Sequence, residues 1–200
     1  MAKASEATKL ANENYLIQKE ILEKQGYVPE KKTVSIVKAN VVAAIICVLT
    51  AVVLNAIYVL KWGQISTEFS LSTVILFICF IISIPVHEFL HGLGFAIFCK
   101  DGWHSIRFGI MREYLTPYCS CKEPLEKWHY LFGGLLPFIV LGIIPAIIAI
   151  AAQFYGLLIF SILSIACAGG DLMIAKMLLG CGDGKILDHP SEAGFYYFHK

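Results

Sequence analysis

His87, Glu88 and His91 stand in the order His-Glu-Phe-Leu-His inside a long apolar stretch. On a helix, side chains four residues apart share a face, so the two imidazoles can grip one metal ion. Glu88 sits beside them and can polarise a water at that ion. This is the ligand and base arrangement of a zinc peptidase. The plain alternative is a pair of histidines satisfied by neighbouring helices. Depth argues against it, because ionisable groups at the bilayer centre cost about 2.5–3.5 kcal/mol each for residues such as Asp and Arg. Gly94 fits the glycine of the longer His-x-x-Gly-x-x-His extension, but Ile97 occupies the position of its third histidine. The third ligand must therefore come from elsewhere in the chain.

The surrounding composition says where such a site would sit. The chain has 200 residues, of which 58% are hydrophobic and only 16% charged, and its mean hydropathy is +0.70. A soluble domain carries more charge, so an integral membrane protein is expected. The net charge of +1 gives no case for nucleic acid as a partner. Seven cysteines, an odd number at irregular spacing, define no disulfide framework, and Cys119-x-Cys121 without a second pair reads as two ordinary thiols. No cleavable signal is expected in the polar first forty residues, so the first apolar run would direct insertion.

Four apolar spans account for most of the length. Residues 1–39 would form a cytoplasmic amphipathic helix (Ser5 to Gln25, with Leu10, Ile17, Ile21 and Leu22 on one face) and a linker. A solvated cytosolic helix and a membrane-surface helix both fit that segment. The core, residues 40–179, would hold spans at about 40–60, 71–99, 130–152 and 154–179, each long enough to cross a bilayer. Pro85, just before His87, is expected to kink the second span and make room for water. Gly92 and Gly94 could admit a close neighbour. Between spans two and three, Ile106, Phe108 and Ile110 alternate with Arg107 and Gly109, which predicts a short strand. A strand there could pair with an extended substrate or simply shield the site. The polar tail, residues 180–200, carries His189 and His199, both expected in solvent.

Positive residues gather before the first span, between spans two and three, and after span four. The positive-inside rule then places both termini and the segment from Lys100 to His129 in the cytoplasm. Spans two and four would run in the same direction. His87 lies about 16 residues into one and Asp171 about 17 into the other, so at 1.5 Å per residue they reach a similar depth. A lone aspartate in an apolar span needs a partner, and a zinc ion with two histidines supplies one. Hydrogen bonding to helix carbonyls or to Lys176 would also satisfy Asp171. Glu113, His104 and His129 compete with it as third ligands.

The His87-Glu88-Phe89-Leu90-His91 motif, the Phe108-Gly109 turn, Pro117 to Pro124 and Gly169-Gly170-Asp171 together resemble a family of bacterial multi-pass membrane zincin peptidases. That family is similar to the site-2 proteases, which cleave within membranes. The resemblance covers about Ser70 to Phe198. It implies a bacterial cell-membrane location and an aspartate ligand from a later transmembrane helix, which falls on Asp171. Two departures stand out: Gly169-Gly170 replaces the usual Asn-Pro, and Leu172 follows the aspartate where glycine is usual.

The expected protein is thus all-α and membrane-embedded, with about four transmembrane helices and a short cytoplasmic β-hairpin-like insertion between spans two and three. Zinc would be held by His87, His91 and Asp171, with Glu88 as general base for peptide hydrolysis. Its partners would be membrane lipid and a peptide or membrane-protein substrate. A catalytically inactive binding or regulatory protein that keeps the fold is a second reading. A metal or proton transporter is a third, although no repeated halves are visible.

Overall fold

The computed structural model describes residues 6–65, 71–111 and 116–200, which are mostly helical. Helix α1 (Glu6–Lys24) stops at Gly26, whose φ of 83° suits glycine. Strand β1 (Val28–Thr33) follows. Helix α2 (Ile36–Trp62) starts at Ser35, whose hydroxyl accepts the Lys38 N–H at 3.3 Å, and closes at Gly63 in the left-handed region. Helix α3 (Leu71–Ala96) carries the metal motif. A 3-10 turn (Gly102–Ser105) leads into β2 (Ile106–Met111), β3 (Thr116–Cys121) and the two-residue strand β4 (Leu125–Glu126). Helix α4 (Lys127–Pro137) passes through a π-helical stretch, Phe138–Ile143, into α5 (Ile144–Ala151). After Gln153 (φ 55°) come α6 (Tyr155–Cys167), α7 (Gly169–Leu179), β5 (Lys185–Asp188) and β6 (Gly194–His199).

Among the described residues, three helical runs are long and apolar enough to cross a membrane: α2, α3 from Val74, and Lys127–Ala151. Helices α6 and α7 make a fourth if they count as one span, for they are bent by 51°. The bend falls at Ala168, not at a proline. Pro85, by contrast, does not interrupt α3. The break in the apolar helices lies between α6 and α7, the helix that brings Asp171. A straight 1.5 Å rise along residues 154–179 does not describe that segment.

The strands form two antiparallel sheets. One is the β2–β3 hairpin, with Ile106 opposite Cys121 and Phe108 opposite Cys119. The other has the order β1-β6-β5-β4 and is not part of the all-α expectation. Residues 180–200 are not a loose tail: they supply β5 and β6, and Phe195, Phe198, Ile186 and Leu187 are buried there. Helix α1 lies on this sheet through Leu22, packed with Leu187 and Phe198, and through Tyr15, stacked on Tyr196 at 4.2 Å. Leu10, Ile17 and Ile21 remain exposed, so the four apolar positions of α1 do not share one buried face.

His189 corrects the expectation of a solvent-exposed tail. Its side chain is only 5% exposed. It stacks on Tyr196 at 5.1 Å, and its Nδ1 accepts the backbone N–H groups of Ser191 and Glu192 at 3.3 and 3.0 Å. Burial, with Lys31 adding to it against Glu192, holds the imidazole below its usual range. A lowered histidine pKa means that the unfolded chain binds the extra proton first. The contribution of His189 is then complete above about pH 6.5 and is lost as pH falls below it. We expect the thermal midpoint in detergent to drop between pH 7 and 5, and a His189→Gln variant to show a shallower drop over that window.

Candidate metal centre

Three elements build the centre. Helix α3 places His87 and His91 one turn apart, with their rings edge-on at 4.8 Å. The break between α6 and α7 turns the first residues of α7 toward α3, so Asp171 lies in the first turn of an 11-residue helix. Gly169 lets α7 lie close against α2, because a Cβ there would come within 2.7 Å of the Ala43 Cα on α2. His87 Nε2 is 3.0 Å from Asp171 Oδ2, His91 Nε2 is 3.4 Å from Asp171 Oδ1, and the two Nε2 atoms are 3.2 Å apart. Ligand atoms from the three residues all fall within 4.8 Å of one another.

These distances fit a metal. Bonds of 2.0–2.1 Å at tetrahedral angles put neighbouring ligand atoms roughly 3.3 Å apart, and the observed spacings bracket that value. The tautomer fits as well. His91 Nδ1 donates to the Gly133 carbonyl at 3.0 Å, which leaves a bare lone pair on Nε2. Two imidazole nitrogens and a carboxylate converging on one point need a cation or protons between them.

The support beneath His91 depends on glycine. A Cβ on Gly94 would lie 2.6 Å from the Gly133 Cα, while one on Gly134 would meet nothing within 4 Å. Gly94→Ala should therefore push α4 from α3 and shift the carbonyl that orients His91. A loss of about 1–3 kcal/mol is expected, with weaker zinc retention. Gly134→Ala should be neutral or slightly stabilising, as alanine is in a helix. Thermal unfolding and zinc content of the two variants in the same detergent check this.

Glu88 faces the hairpin. The Cys119 amide N–H points at its carboxylate. The neighbouring outward amide of β3, at Cys121, donates to Asp188 Oδ2 at 2.5 Å, while Lys122 N–H turns back to Ser105 O at 2.8 Å. Amides two residues apart point the same way along a strand, so Cys119 and Cys121 direct theirs away from β2. Pro117 is next on that edge and has no N–H to satisfy. Asp188 also accepts the Tyr130 hydroxyl. Burial, the largest influence, raises the Asp188 carboxyl to about 6. No sequence signal singled out Asp188 or Tyr130, since neither falls in a motif.

The competing third ligands are not brought in. His104 lies in the exposed 3-10 turn. His129 stacks on Phe98 at 4.1 Å. Glu113 lies outside the described residues. A cavity of about 1970 Å³ opens from the centre, and its walls include Asn14, Tyr15, Glu88, Cys119, Asp171 and Asp188. Helix α1 closes part of it, with Asn14 Nδ2 donating to the Lys122 carbonyl at 2.9 Å.

The fold and site define a mostly helical protein with three or four membrane-length helices, in which a His-Glu-x-x-His helix meets a carboxylate from a broken helix. The chain belongs to the family described as "Putative zincin peptidase", whose model matches residues 80–185, or 106 of the 200 residues. That membership supports a metallopeptidase at the level of class, with zinc as the implied metal. No curated protein and no solved structure matches the chain.

Proposed function

We propose that the protein is a membrane-embedded zinc metallopeptidase that hydrolyses peptide bonds with Glu88 as general base. The observation that carries this is the convergence of His87, His91 and Asp171 one residue from a carboxylate, Glu88, that lines the cavity. His87 Nε2, His91 Nε2 and the Asp171 carboxylate would hold the ion. When bound, zinc supplies a Lewis acid that lowers the pKa of water toward about 7 and polarises a carbonyl. Glu88 accepts the proton of the attacking water and later delivers it to the leaving amine. The Cys119 amide N–H keeps that carboxylate oriented. An extended peptide would add to the outer edge of β3 by donating a backbone N–H to the carbonyl of Cys119.

Embedding is supported by exposure and by parity. Along α2 only Tyr58 is buried, while Val37, Val52 and Leu60 are 72%, 64% and 86% exposed. Apolar surface on that scale suits a lipid environment. Strand β1 precedes α2, β4 precedes α4, and β5 and β6 follow α7, yet all four pair in one sheet. The chain must then enter and leave the helical layer on one side each time. Two pairs of crossings satisfy this, with α6 and α7 as one bent span. The sheet side carries Lys31, Lys32, Lys122 and Lys185, so it would be cytoplasmic and both ends of the described chain would lie there. Cleavage within the membrane, as the likeness to site-2 proteases implies, is part of this proposal. The binding-protein and transporter readings gain no observation of their own.

The test is elemental analysis of detergent-purified protein, joined to a mass-spectrometric screen for cleaved peptides in membranes that contain it. One zinc per chain, with cleavage products that vanish after chelation and return with zinc, is the expected result. A folded protein that binds no zinc and leaves the peptide pool unchanged would overturn the proposal.

A further inference from the structure

Cys99 lies just beyond the end of α3, and Cys121 is the last residue of β3. Their sulfur atoms are 3.2 Å apart. Neither belongs to the group of ligand atoms at the metal centre. The two segments are docked independently of the sulfurs. Glu123 accepts the backbone N–H groups of Lys100 and Asp101 at 2.9 and 3.1 Å and the Ser105 hydroxyl. This docking presents each thiol to the other at high effective concentration. The thiols are unequal: Cys121 is 4% exposed, whereas Cys99 is half-buried. Among the described cysteines this is the one pair with sulfurs in contact.

We propose that Cys99 and Cys121 form a redox-active dithiol site that takes low-molecular-weight disulfides as its substrate class and closes to a reversible Cys99–Cys121 disulfide. Cys99 is the nucleophile. Its thiolate attacks one sulfur of a disulfide RSSR, forming a mixed disulfide, and the departing RS⁻ takes up the proton that Cys99 gave up. Cys121 then loses its proton, and its sulfur displaces the second RS⁻ from Cys99; that thiolate is protonated in turn. The two protein thiols give up two electrons, and RSSR is reduced to two RSH. The division of roles follows the environments. The hydrogen bond between the two sulfurs pulls the Cys99 thiol below its usual range, against burial. That hydrogen bond and then burial push the Cys121 thiol up. A lower-pKa, reachable thiol beside a buried resolving one is the arrangement of thiol–disulfide exchange.

The bond would tie the end of the helix that carries His87, Glu88 and His91 to the end of the strand that faces Glu88. In a reducing cytoplasm the dithiol is the resting form, and the disulfide marks oxidising conditions. The chemistry does not depend on the peptidase reading; only its effect on peptide entry along β3 does.

The experiment equilibrates the purified full chain in glutathione buffers from fully reduced to fully oxidised, quenches with acid, alkylates under denaturing conditions, and reads intact mass and peptide maps. The fully reduced chain should take up seven alkyl groups, one per cysteine. The oxidised chain should lose two of them and yield one peptide cross-linked between Cys99 and Cys121, which dithiothreitol separates. Cys121→Ser should accumulate glutathione on Cys99, while Cys99→Ser should leave Cys121 unmodified. Seven alkylations at every glutathione ratio would overturn the proposal. So would a stable mixed disulfide on Cys99 of the wild type, or a cross-link that uses Cys119.

Discussion

Glu88→Gln is expected to lower peptide hydrolysis by about 10²–10⁴-fold, the usual contribution of a positioned general base, while zinc content stays at the wild-type level. The amide keeps the size of the carboxylate and can still accept the Cys119 N–H, so the hairpin has no reason to move. It cannot take a proton from water. Because Glu88 supplies none of the converging ligand atoms, metal binding is a separate readout. The check is zinc stoichiometry beside turnover of a cleaved peptide found in the wild-type screen. Equal turnover in Glu88→Gln and wild type would remove Glu88 from the chemistry. A joint loss of zinc and turnover would instead make it part of the metal shell.

Asp171→Ala should have the larger effect on the metal. The carboxylate is the third of three ligand groups and spans both histidines, with one oxygen 3.0 Å from His87 Nε2 and the other 3.4 Å from His91 Nε2. Outer-shell partners alone are worth about 10–100-fold in metal affinity, so losing this group should cost more than about 100-fold. Two imidazoles would then face each other without a counter-charge. Zinc competition against a chelator of known affinity measures the change, and Asp171→Asn separates loss of charge from loss of volume. Unchanged zinc affinity in Asp171→Ala would show that another group completes the centre.

The convergence of His87, His91 and Asp171 was legible because its two halves carry local signals. Histidines at i and i+4 fix a shared helix face, and a single carboxylate in an apolar stretch demands a partner. The strand at Ile106–Met111 announced itself through alternation, and the turn at Gln153 through the lone polar residue in a long apolar run. The four-stranded sheet carried no such signal. Its strands are short, and Phe195, Tyr196, Tyr197 and Phe198 in β6 lack a polar-apolar alternation. Its pairings also join distant segments, which no local window can see. The bend at Ala168 was hidden for a related reason: the proline that invited a kink, Pro85, lies inside the unbroken helix α3, while the break falls beside two glycines. Asp188 and Cys99 acquire their neighbours only through those long-range contacts.

The sheet also sets an order of events during synthesis. Strand β1 is made before any of the long apolar helices, but its partner β6 follows all of them. Lys31 and Glu192, paired across that seam, are 161 positions apart. At about 5–20 residues per second, β1 waits on the ribosome for roughly ten to thirty seconds without a mate. Its sequence, Val-Pro-Glu-Lys-Lys-Thr, suits that wait, because proline and charged side chains keep an unpaired edge from recruiting another chain. The same timetable governs the centre. The nascent protein holds both histidines and Glu88 well before Asp171 emerges, so a translating chain carries an unfinished centre until the broken helix is in place.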